Sequence, residues 1–113
     1  MSNLLIVDTN GRRRVAIEVA ASEAGHRSYS AGSIVEAERM AAIYVPDVVI
    51  AMLDDSSNND LVRKLRESDN PLIKAIPIVT DKAMNGASGI TITKTDPDSI
   101  ITAVDQLSAS NSN

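Results

Sequence analysis

The amino-acid sequence predicts an α/β domain in which helices cover both faces of a parallel sheet, and three observations carry that expectation. Val48 to Leu53 is an unbroken apolar run, preceded by Pro46-Asp47 and followed by Asp54-Asp55-Ser56-Ser57. A half-buried strand alternates in polarity; a strand that does not alternate is buried on both faces, as the central strands of parallel sheets are. Leu4-Leu5-Ile6-Val7 is a second run of this kind, ending at Asp8-Thr9-Asn10-Gly11. Stretches with helical spacing of apolar residues alternate with these runs and with weaker strand candidates, giving five βα units. In open sheets of this type the chemistry gathers at the C-terminal ends of the strands. There the central run presents Met52 and Leu53, followed by the carboxylates of Asp54 and Asp55.

Taken in order, the first strand is followed by Thr9 or Asn10 as the cap of a helix predicted from about Arg12 to Ala24. Val15, Ile17, Val19 and Ala20 are its buried candidates, and Gly25 is placed to stop it. Arg27 to Ala31, polar at alternate positions, suits an edge strand. Ser33 caps a second helix carrying Ile34, Ala37, Ala41 and Ala42, and Pro46 ends the connection to the central strand. Ser56 to Asp60 reads as a loop, with Asn59 or Asp60 capping a helix that carries Leu61, Val62 and Leu65 and closes at Arg66 to Ser68. Pro71 and Pro77 bracket the approach to a fourth strand, Ile76 to Thr80. A fifth strand is expected at Gly89 to Thr93, with Ile90 and Ile92 alternating. Only residues 81–88 separate these two strands, fewer than the dozen or so that a parallel crossover takes as a rule. The helix of that crossover is therefore expected to be shortened or missing. Asp96-Pro97-Asp98 opens a last helix with Ile100, Ile101, Val104 and Leu107 on one face. The folded domain is expected to span residues 1–107, with 108–113 a disordered polar tail.

Composition narrows the function classes. A chain of 113 residues forms one domain with a single sizeable core. Tyr29 and Tyr44 are its only aromatic residues, which argues against a stacking platform for single-stranded nucleic acid. A net charge of −4 argues against a duplex-binding surface. The chain has no cysteine, so disulfides, thiolate metal sites and thiol redox chemistry are excluded. No apolar run approaches the roughly 20 residues needed to cross a bilayer, and the N-terminus lacks a signal-peptide pattern. The expected location is the cytoplasm, with no nucleic-acid or membrane partner.

Several short motifs now fall into one order: Leu5-Ile6-Val7-Asp8, Arg14, Ala24-Gly25, Ala31 with Glu36-Ala37, and Pro46-Asp47-Val48-Val49-Ile50. They continue with Ile76-Pro77-Ile78-Val79, Gly86-Ala87-Ser88-Gly89, and Lys94 with Asp96-Pro97-Asp98. This ordered set, spanning Leu4 to Leu107, resembles the receiver domain of response regulators. The resemblance implies a flavodoxin-like, doubly wound five-stranded parallel sheet of strand order 2-1-3-4-5. It also implies a chemistry: a strand-end Asp after the third strand accepts a phosphoryl group, and an acidic pair after the first strand holds Mg²⁺. A Thr or Ser after the fourth strand and a Lys after the fifth then contact the phosphoryl group.

This chain departs from that pattern at the working positions. The place of the phosphoacceptor, counted from Pro46-Asp47, falls on Met52, which has no nucleophilic oxygen. The acidic pair is reduced to Asp8-Thr9, leaving Asp8 as a weak metal candidate. The switch hydroxyl falls on Thr80 and the lysine on Lys94, both with small register offsets. The loop after the third strand is short and lacks the Met-Pro and Asp-Gly turn of the family, and Ile90 or Thr91 stands where a switch aromatic would be. Asp54 and Asp55 offer themselves as displaced phosphoacceptors, against the plainer reading of loop carboxylates that cap turns. Asp8 is expected to pair with Lys94 across adjacent strand ends, since a buried carboxylate needs a partner. The Arg12-Arg13-Arg14 run sits at the unfavourable end of a helix dipole and reads as a solvated face with Arg14 packed along its stem. His26 reads as an exposed turn residue, and Met40, Met52 and Met84 as packing residues.

The expectation is a receiver-like domain of bacterial signalling that is not switched by aspartyl phosphorylation, has no enzymatic role and needs no cofactor. It would act by docking a protein partner or forming a homodimer, within a larger kinase or regulator or alone. The expected interface lies at the fourth and fifth strands and last helix, with Ile90, Ile92, Ile100, Ile101, Val104 and Leu107. The alternative is an atypical receiver still phosphorylated, with Mg²⁺, at Asp54 or Asp55.

Overall fold

The apolar runs become strands because each is closed by residues that cannot continue it. A computed structural model describes residues 2–81 and 89–110. Its elements are β1 (Asn3–Asp8), α1 (Gly11–Glu23), β2 (Arg27–Ala31), α2 (Ile34–Tyr44), β3 (Val48–Met52), α3 (Asp55–Arg66), a single turn α4 (Pro71–Lys74), β4 (Ile78–Thr80), β5 (Gly89–Thr91) and α5 (Pro97–Ser110). The strands lie in the order β2-β1-β3-β4-β5, and every neighbouring pair is parallel. β3 is buried along its whole length, and β2 lies at an edge. The pleat sends Val48, Ile50 and Met52 into a core with Ile17, Ala21, Ile100 and Val104 of α1 and α5. Val49, Ala51 and Leu53 go to the opposite core, with Ala37, Ala41, Leu61 and Leu65 of α2 and α3.

Local chemistry explains the ends of the helices. Asn10 caps α1 through its side chain, Gly25 follows with φ +84°, and Ser33 caps α2. Val45 ends α2 in the left-handed conformation, φ 43°, an uncommon one for a β-branched residue. Pro46, coming next, cannot extend the helix. Tyr44, at the end of α2, stacks on Tyr29 of β2 with ring centroids 4.0 Å apart, which covers part of the edge strand.

Several expectations are corrected. In α1, Val15 and Val19 are exposed, at 54% and 52%, while Ile17 and Ala21 are buried. The inward stripe is therefore Arg13-Ile17-Ala21, spaced by four; of the four expected candidates Ile17 is buried, Ala20 packs partly buried against the same core, and the two valines face out. Ser56–Asp60 is not a loop, because Asp54 accepts a hydrogen bond from the Ser57 amide at 2.8 Å and starts α3 early. On α5, Ile100, Ile101 and Val104 are buried in the core of their own chain, and Ile92 and Leu107 pack partly buried against it. These are core residues rather than a free interface; the Ile90 side chain lies outside the described residues. α5 continues to Ser110, three residues past the expected end of the domain at Leu107. The expected loss of the fourth crossover helix falls on residues 82–88, outside the described residues. Among those described, no helix is long and apolar enough to cross a membrane.

Candidate functional site

β1 and β3 run side by side with Asp8 opposite Met52, so the two positions singled out by the sequence meet at the C-terminal edge of the sheet. Met52 is buried and its thioether belongs to the core under α1 and α5. A side chain in that setting offers neither a nucleophile nor a ligand for a hard cation. Asp8 is fully buried, and an ionised carboxylate there must be paired and hydrogen-bonded.

The partner is Arg13, not Lys94. The Arg13 Nε donates to Asp8 Oδ2 at 2.5 Å and Nη2 donates to Asp8 Oδ1 at 3.0 Å, a two-pronged guanidinium–carboxylate pair. The same Nη2 donates to the backbone oxygen of Met52 at 3.1 Å. The Asn10 amide donates to Asp8 Oδ1 at 2.8 Å, and Arg14 Nη1 donates to the Asp8 backbone oxygen at 2.9 Å. The hydrogen bond to Asp8 pushes the Arg13 guanidinium above its ordinary pKa; burial opposes this, and the charges of Asp8 and Asp81 add to it. Arg13 is thus a fixed cation. The helix dipole objection to arginines at this end is met by the Asp8 carboxylate lying just before the helix, since α1 has no acid in its own first turn. Of the three arginines only Arg12 is an exposed residue, so the solvated-face reading fails for Arg13 and Arg14. The Arg14 guanidinium also lies over Gly32, where a Cβ would come within 3.1 Å of its Nη1.

On the other face of β3 a second polar cluster is closed. Asn58 is buried and its Nδ2 donates to Thr80 Oγ1 at 2.6 Å and to the Ala51 backbone oxygen at 3.1 Å. Its Oδ1 accepts from the Leu53 amide at 2.9 Å. Thr80, the expected switch hydroxyl, is buried inside this cluster. Asn58 was not singled out from the sequence. The signal for it is Asp54, a helix cap that puts Asn58 within the first turn or so of α3, where a polar side chain can reach the end of β3.

The remaining expected site residues are dispersed. Thr9 is exposed, and Asp54 is an exposed cap whose carboxylate is used by the Ser57 amide. The Asp55 side chain lies outside the described residues. Lys94 is exposed beside Thr91, Thr93 and Ser99, and the carboxylate that feels its charge is Asp96. His26 is no free turn residue: Nδ1 accepts from the Ser2 amide at 3.1 Å and Nε2 bonds Asp105 at 2.8 Å, tying the start of β1 to α5. A Mg²⁺ site of the kind the resemblance implies does not fit these residues. Both Asp8 oxygens are taken by a guanidinium, the place of a second acid is held by the neutral Thr9, and no group of three metal-ligating side chains occurs among the described residues.

The fold is that of response-regulator receiver domains. The chain superposes on the chemotaxis response regulator CheY4 of Vibrio cholerae with a TM-score of 0.79 at 19% identity, covering 95% of this chain and 98% of that one. A CheY-like receiver domain from Methanospirillum hungatei gives 0.77 at 14% identity, over 99% and 98% of the two chains. The signal receiver domain of a histidine kinase from Syntrophus aciditrophicus gives 0.74 at 20% identity, over 96% and 92%. No family model and no curated protein matches the sequence.

Proposed function

We propose that this chain is a pseudo-receiver: a receiver-like module of bacterial two-component signalling, cytoplasmic, that works by protein–protein contact without aspartyl phosphorylation. The observation that carries this reading is the buried thioether of Met52 at the end of β3, directly beside Asp8. Phosphoryl transfer to a carboxylate needs a nucleophilic oxygen and a positive charge on the transferring oxygens. Here the strand end supplies no such oxygen, and Arg13 spends its charge on Asp8. Asp54 is a poor substitute acceptor because its carboxylate already caps α3. The domain has no catalytic role in this reading and binds a protein partner or a second copy of itself. Val15 and Val19 on α1 are exposed, which makes the outer face of α1 a better candidate surface than the buried face of α5 expected from the sequence.

The test is incubation with an acyl phosphate and Mg²⁺ followed by intact mass measurement. The expected outcome is an unmodified chain under conditions that modify an active receiver domain run in parallel. Addition of one phosphoryl group, located by fragmentation to Asp54 or Asp55, would establish the atypical phosphorylated receiver instead.

A further inference from the structure

We infer that Arg13 is a tethered cation that does the work of a divalent ion at this sheet edge, so that its removal turns Asp8 into a divalent-cation site. The inference rests on the pseudo-receiver reading of the edge and deepens it. Its basis is the set of oxygens gathered around one guanidinium: both oxygens of the buried Asp8 carboxylate and the last backbone oxygen of β3, that of Met52. A carboxylate and a backbone oxygen are the hard ligands that Mg²⁺ and Ca²⁺ take. The Asp81 charge also acts on Arg13, so the cation faces more than one negative group. The guanidinium reaches them because Arg13 lies one turn ahead of Ile17 and two ahead of Ala21 on the buried stripe of α1.

Two properties make the arginine a better occupant than an ion from solution. Its planar fork matches both carboxylate oxygens at once and is weakly hydrated, whereas Mg²⁺ gives up its water reluctantly. It is also held in place by the helix, so its binding is intramolecular and does not depend on the concentration of free ion. The edge is thereby locked in a single charge state, independent of the supply of metal. β1, α1 and β3 are tied together by a group that cannot dissociate.

The experiment uses the whole chain and three variants: Arg13→Gln, Arg13→Lys, and Arg13→Gln with Asp8→Asn. Each is titrated with Mn²⁺ while amide line broadening is followed, and with Mg²⁺ while Tm is followed. The unsubstituted chain is expected to show no broadening centred on residues 8–10 and 52–53 and no Tm gain. Arg13→Gln, which keeps a stem to cover the site but lacks the charge, is expected to broaden there. It should also gain roughly 4–8 °C in Tm at ten times the Kd of Mg²⁺. Arg13→Lys retains the cation and the double variant loses the carboxylate, so neither should respond. The inference is overturned if the unsubstituted chain binds as well as Arg13→Gln, if Arg13→Gln shows no local broadening, or if the double variant still responds. Should Arg13→Gln unfold without metal, recovery of amide dispersion on adding Mg²⁺ supports the inference, and continued unfolding at every concentration overturns it. No phosphodonor is present in these titrations. Phosphorylation of the unsubstituted chain by an acyl phosphate would sink the pseudo-receiver reading while leaving the titration result standing, and the reverse also holds.

Discussion

The two polar clusters that flank the end of β3 solve the same problem by different physics. On the α1–α5 face a buried carboxylate is matched by a cation whose side chain remains 32% exposed. On the α2–α3 face Asn58 and Thr80, both neutral and buried, satisfy each other and the backbone of Ala51 and Leu53. The charged cluster touches solvent through Arg13, so its strength depends on charge and ionic strength. The neutral cluster depends on geometry alone. The lesson is that the edge is closed twice: once electrostatically where the resemblance places a metal, and once by hydrogen bonds around the hydroxyl expected to switch.

The largest expected effect is at the neutral cluster. Asn58→Ala removes the hydrogen bonds that Asn58 makes to the Thr80 hydroxyl, the Leu53 amide and the Ala51 oxygen, and a cost of about 3 kcal/mol is expected at roughly 1 kcal/mol for each buried hydrogen bond lost. Urea unfolding measures it, and a loss near zero would mean that this cluster is not sealed. Next comes an asymmetry within the charged cluster. Arg13→Ala leaves the fully buried Asp8 carboxylate without its cation, whereas Asp8→Asn leaves a cation that can turn toward water. Losses of about 2–3 and about 1 kcal/mol are expected, the first below the usual figure for a buried pair because Arg13 is partly exposed. Equal losses would contradict the burial difference. Added salt sharpens the contrast, since roughly 1 M salt should shrink the gap between the Arg13→Ala variant and the original chain and leave the Asn58→Ala gap unchanged. Thr80→Val, which keeps the shape and removes the acceptor, should cost about 1–2 kcal/mol.

The smallest effect lies outside both clusters and serves as a control. Hydrogen bonds from the Ser99 side chain and amide hold the Asp96 carboxyl below its ordinary pKa. A depressed carboxyl stabilises the folded state above its unfolded pKa and loses that contribution as pH falls through the folded value. Fraying of the first turn of α5 is therefore expected below about pH 4, and Asp96→Ala should abolish that pH dependence. Amide exchange of residues 97–100 followed across this range checks it.

Much of the architecture was legible because its signals are local. The apolar runs of β1 and β3, the Ser33 cap and the Gly25 stop each act within a few residues. The start of α3 was not legible: Ser, Asn and Asp disfavour helix interiors, and here the Asp54 cap is joined by the buried contact of Asn58 with Thr80, distant in sequence. The burial of Asp8 was legible and its partner was not. Lys94 was chosen by resemblance, whereas the four-residue spacing of Arg13, Ile17 and Ala21 marks the cation that actually faces the sheet. With Val15 and Val19 standing beside Ile17 and Ala20 as buried candidates, that spacing does not stand out.

The most direct test of the central claim is the amide spectrum of the unmodified chain before and after addition of Mg²⁺ with trifluoroberyllate, a mimic of the phosphoryl group. The account predicts superimposable spectra, with Asp8, Met52, Asn58 and Thr80 unmoved. Saturable shifts at those four residues, dependent on both components, would contradict it.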